Sequence, residues 1–150
     1  MPGLRTPFLL LFGQAVLGVV VGVAWWALTR TPADWLVGEP VVTTGSAAVA
    51  RDGTLAVLGA LLGLAVGVLV LRAARVRPLV TYGAGVAGAL EGSLIAAGTG
   101  SLLPPTAPSD PSHVSLGAWG VALVWPLVLS AVVTLVTLAG TLREWAAAPR

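Results

Sequence analysis

In GVAGALEGSLIAAG, residues 85 to 98, a single carboxylate, Glu91, stands among glycine, alanine and aliphatic side chains with one serine. An acid in such a run can bind a proton or a cation on a transport path. It can equally serve as a buried hydrogen-bonding group that locks two helices together. Other reactive side chains are few. The chain has no cysteine, which removes disulfides, thiol catalysis, iron–sulfur clusters and thiolate zinc; its one histidine, His113, has only Asp110 as a near acid. Paired aspartates, a serine with a base and a metal-ligand cluster are missing from the apolar stretches. The glycines lie inside those stretches and not at a strand-to-helix turn, so none reads as a phosphate cradle. The reading is a non-enzymatic protein with no cofactor and no metal.

The elements that must carry Glu91 follow from composition. Of 150 residues, 57% are hydrophobic and 9% charged, where soluble domains average about 25% charged. Four apolar stretches account for the excess, at about 7–28, 54–71, 78–98 and 116–142. Each is close to the ~20 residues a helix needs to cross a ~30 Å hydrocarbon core. The pattern predicts an all-α integral membrane protein, with one four-helix membrane domain over 1–150. Pro7 opens the first span, where its missing N–H costs nothing, and Trp25 with Trp26 closes it as an interfacial anchor. That apolar run is longer than a signal peptide's and no small-x-small site follows it, so it reads as a retained anchor.

Arginine placement predicts the threading. RAARVR, residues 72–77, is a tight turn whose Arg72, Arg75 and Arg77 determine the topology. With the amino terminus inside, Arg5, Arg72, Arg75, Arg77, Arg143 and Arg150 are cytoplasmic and only Arg30 and Arg51 face out, six against two. Both termini are then cytoplasmic in a multi-pass protein of a bacterial plasma membrane, whose partner is the lipid bilayer. The formal charge of +2 implies no nucleic-acid partner, because the arginines cluster only where a membrane protein places them. All eight bases are arginine, and alanine, valine, glycine and leucine dominate, as in a GC-rich bacterial genome. The outer segment 29–53 has VVTT and AAVA on either side of Gly45 and Ser46, and reads as a short β-hairpin or an irregular loop. The second outer segment, 99–115, contains PPTAPSDPSH and reads as an extended linker.

Inside a bilayer, helices meet through small residues that let backbones approach. Gly18 and Gly22 supply such a ridge in span one, Gly59, Gly63 and Gly67 in span two, and Gly88 with Gly92 in span three, where Ala84 and Ala96 extend it. Four spans can cover one another's ridges, so packing within the chain is expected over a homo-oligomer. Span four carries Ser130, Thr134, Thr137 and Thr141 on one face, expected to bond back to its own carbonyls, and Pro126 is expected to kink its outer half. A shift of 70 residues lays Gly13, Gly18 and Gly22 on Gly83, Gly88 and Gly92, a weak internal repeat in a chain of 19 glycines.

Glu91 lies thirteen residues beyond Pro78, or ~20 Å along the helix and past the midplane. A charge there costs about 2.5–3.5 kcal/mol on insertion scales, so the acid should face the bundle interior, find a partner or shed its charge. Arg51, the Trp125 indole N–H and the Ser130 hydroxyl are the candidate partners. Gln14, ~10 Å up its own span, is set aside for depth.

The order of WWAL, VVTTGSAAVARDGT leading into LAVLGALLGLAVGVL, an arginine turn and GALEGSLIA resembles an uncharacterised family of small actinobacterial four-span membrane proteins, catalogued as a domain of unknown function. The likeness covers the chain up to about Leu103. It implies an actinobacterial plasma-membrane protein with a four-helix fold, and brings no catalytic residue. Two functional readings follow. One is a scaffold or accessory subunit of an envelope complex, bound to another membrane protein, in which Glu91→Gln is silent. The other is a small proton-linked permease or channel-like oligomer using Glu91, in which Glu91→Gln abolishes activity and leaves the fold intact.

Overall fold

Long runs of leucine, valine and alanine with little interior proline favour helices, and in lipid a helix satisfies every backbone N–H and C=O within its own segment. A computed structural model of the chain describes residues 5–29, 44–74, 77–103 and 116–148. It contains α1 (Arg5–Leu28), α2 (Thr44–Ala73), α3 (Pro78–Leu102), a 3-10 turn (Trp119–Leu123) and α4 (Val124–Ala147). Arg5–Leu28, Val49–Ala73, Pro78–Leu102 and Trp119–Ala147 are each long and apolar enough to cross a membrane.

The helices run further than composition suggested. α2 begins at Thr44 and not at Thr54, so AAVA is helical and the hairpin reading fails there; the described residues contain no strand, and 30–43 lie outside them. Physically, three alanines in AAVA-type sequence carry the highest helix propensity, whereas an isolated two-stranded hairpin is marginal. α3 likewise continues through Thr99 to Leu102, and the proline-rich part of the second loop lies outside the described residues.

Pro126 does not kink a helix interior. It is the third residue of α4, in the first turn, where a missing N–H leaves no intrahelical bond unmade. The irregularity comes ahead of it, as the 3-10 turn. Three of the four hydroxyls expected to bond back within α4 do so: Ser130 Oγ donates to the Pro126 carbonyl at 2.7 Å, Thr137 Oγ1 to Val133 at 2.8 Å and Thr141 Oγ1 to Leu138 at 2.8 Å.

Packing pairs alternate helices. α1 packs most extensively on α3 and α2 on α4, while consecutive helices share smaller contacts. Gly18 lies against the Gly92 backbone, and a Cβ on Gly22 would come within 2.5 Å of the Ala96 carbonyl oxygen. Gln14 lies against Gly88. These pairs advance together along both helices, so α1 and α3 run parallel. α2 and α4 also run parallel: a Cβ on Gly59 would be 3.4 Å from Trp125 N, on Gly63 2.8 Å from Val128 Cβ and on Gly67 3.1 Å from Val132 Cβ. Around these contacts lie two apolar clusters. Val21, Trp25, Leu55 and Ala96 form one, and Val66, Val70, Ala89, Trp125 and Leu129 the other.

Candidate functional site

Glu91 is placed by the way α3 packs on α1. Its helix buries Gly88 with Ala89, Gly92 with Ser93, and Ala96 with Ala97, a stripe recurring every four residues. At ~100° per residue, Glu91 precedes the midpoint of the central pair by one and a half positions and so stands about 150° round the helix from the stripe. The side chain is exposed, together with Gly83, Ala87, Leu90 and Leu94. Of the three alternatives for the acid, a place in the bundle interior is the one it does not take. Glycine and alanine occupy both sides of α3, and the face used for packing is the one that meets the α1 ridge.

None of the three candidate partners reaches it. Glu91 makes no hydrogen bond or ion pair with any described residue. Arg51 sits on α2, half-buried, and its carbonyl accepts the Trp25 indole N–H at 2.8 Å. Trp25 in turn packs on Gly100, nine residues or ~13 Å along α3 from Glu91. Ser130 bonds to its own helix. Trp125 is 2% exposed and fills the space over three glycines: its backbone meets Gly59 and Gly63, and its indole ring meets Gly92, with Cη2 2.8 Å from where a Cβ would stand. Its Nε1 is buried with no acceptor. Of the topology arginines, Arg72 ends α2 and Arg77 precedes α3, both exposed; Arg75 lies outside the described residues.

Two polar residues inside the bundle escaped the sequence reading. Gln14, 2% exposed, donates Nε2 to the Leu10 carbonyl at 3.2 Å and to the Gly85 carbonyl at 3.1 Å, leaving Oε1 unpaired. Its depth was misjudged: it is level with Gly88, about one helical turn from Glu91, though on the opposite face of α3. A lone amide in an apolar span was the available signal. Asp52, also buried, accepts the Gly117 N–H at 3.2 Å and the Ala118 N–H at 2.8 Å, capping the entry to the 3-10 turn from a neighbouring helix.

A cavity of about 10 Å³ lies between the helices, lined by Leu55, Gly59, Ser93, Ala96, Trp125 and neighbouring apolar side chains. Glu91 is not among its walls. No group of three metal-ligating side chains occurs among the described residues, and Asp110 with His113 lies outside them. The arrangement thus separates a core that holds an amide and an indole from an outward acid with no partner among the described residues. No family model, no curated protein and no solved structure matches this sequence.

Proposed function

We propose that the chain is a non-enzymatic scaffold or accessory subunit of an envelope complex in a bacterial plasma membrane, with both termini cytoplasmic, as the arginine distribution and the likeness to small actinobacterial four-span proteins suggest. One observation carries the reading. The main glycine ridges are occupied within the chain, while the single acid of the spanning helix α3 is exposed and unpartnered. An ionised acid in the membrane interior is costly without a partner, and none of the described residues supplies one. The alternative, a proton-linked permease, draws no support from the described cavity, which excludes Glu91 and has room for about one water.

With Glu91 exposed on α3, the reading asks its side chain to act between molecules and not within the bundle. The test is particle size in mild detergent extracts of native membranes. Wild type should migrate well above a single 15.1 kDa chain with its detergent belt, and Glu91→Leu should collapse to the single-chain size with unchanged helix content. A single-chain particle for wild type would defeat the proposal. Glu91-dependent proton flux from purified protein in vesicles would favour the permease.

A further inference from the structure

We infer that the outward face of α3 centred on Glu91 docks a transmembrane helix of a different protein, one that carries an arginine or lysine at mid-membrane depth. This rests on the scaffold reading and names the chemistry of its partner.

The acid lies near the middle of the 25-residue α3, on the side turned from the bundle. A carboxylate and a guanidinium are each disfavoured alone in hydrocarbon, and a hydrogen-bonded pair relieves both. The surface around Glu91 lets a helix come close. Gly83 and Ala87, eight and four residues before it, are exposed, and neither Gly83 nor Gly98 has any atom within 4 Å of a would-be Cβ. α3 therefore meets α1 through one small-residue face and, around Glu91, presents a second face on which Gly83, Ala87 and Gly98 alternate with the larger Leu90 and Leu94.

A second copy of this chain does not supply the missing charge. Among the described residues no arginine falls in the middle third of a helix, and the sequence has no lysine. Arg51 stands ~13 Å away along the α3 axis and Arg77 ~21 Å. Two copies meeting on this face about an axis normal to the membrane would set Glu91 against Glu91. Charge complementarity points to another chain.

The probe is a set of leucine–alanine transmembrane peptides bearing one central Arg, Lys, Glu or Leu. Each is reconstituted with the labelled full-length protein in phosphatidylcholine–phosphatidylglycerol vesicles, and association is read by energy transfer on lipid dilution. Arg and Lys peptides should associate at least tenfold more tightly than the Leu peptide, and the Glu peptide should not. Glu91→Gln should reduce the preference to under twofold, and Ala87→Trp, which leaves the carboxylate but blocks close approach, should weaken it as well. Helix content and elution volume verify each variant's fold. Equal association of all four peptides, or an Arg preference that survives in Glu91→Gln, overturns the inference. So does Glu91-dependent transfer between copies of the protein, which would give the face to a second copy. A native particle that collapses in Glu91→Leu without any Arg preference here rejects the cationic partner alone, whereas a single-chain native particle rejects the scaffold reading itself.

Discussion

A single methyl group distinguishes the two faces of α3. At Gly92 an added Cβ would stand 2.6 Å from the Gln14 carbonyl oxygen and 2.8 Å from the Trp125 ring, whereas at Gly98 it would meet nothing within 4 Å. Gly92→Ala should therefore cost about 1–3 kcal/mol, the usual range for overpacking. Gly98→Ala should be neutral or gain up to about 1 kcal/mol from helix propensity. Thermal unfolding in detergent measures both, and equal melting temperatures for the two variants would contradict the packing. Gln14→Leu is expected to change stability by less than about 1 kcal/mol, since interhelical hydrogen bonds in membranes average about 0.6 kcal/mol and the Oε1 that it removes has no partner. Glu91 was legible as an anomaly because it is the one acid in an apolar run. Its direction was not legible. Lipid and protein core are equally apolar, so hydrophobicity cannot tell an inward face from an outward one, and small residues occupied both.

Between elements, the tie from Asp52 holds the end of α2 to the start of the last span. Asp52→Ala leaves two backbone N–H groups without their acceptor and should cost about 1–3 kcal/mol. It should also speed proteolysis in the segment before Trp119, and unchanged digestion would show that the cap is dispensable. The existence of four spanning helices could be read from length and composition alone. Their ends could not. The alanines of AAVA extend α2 ten residues beyond the expected start, and Pro126 marks a first turn where an interior kink was anticipated. Each error came from treating β-branched residues or proline as local signals when the neighbouring residues decided the outcome. The back-bonded hydroxyls of α4 were foreseeable, because serine and threonine three or four residues from a carbonyl find it within their own helix.

For the whole molecule, the pairing of α1 with α3 and α2 with α4 came from no single element. The ridges that match on a 70-residue shift do meet, at an offset of 74 in the contacts Gln14 to Gly88, Gly18 to Gly92 and Gly22 to Ala96. Such an offset depends on the heights of two helices, which composition does not encode. The absence of cysteine makes threading testable in the chain as it stands. A membrane-impermeant maleimide should label Ser109→Cys in intact cells and Val76→Cys only after permeabilisation; the reverse pattern would invert the proposed topology. Residues 134–147 of α4 are exposed on all sides. The central claim, however, concerns the α3 face. Its most direct test is photocrosslinking in native membranes with a benzophenone side chain at Leu94, beside Glu91, and at Val57, exposed on α2. The account predicts one discrete protein adduct from Leu94, lost when Glu91→Leu is added, and only lipid adducts from Val57. The same adducts from both positions, or a Leu94 adduct indifferent to Glu91, would contradict it.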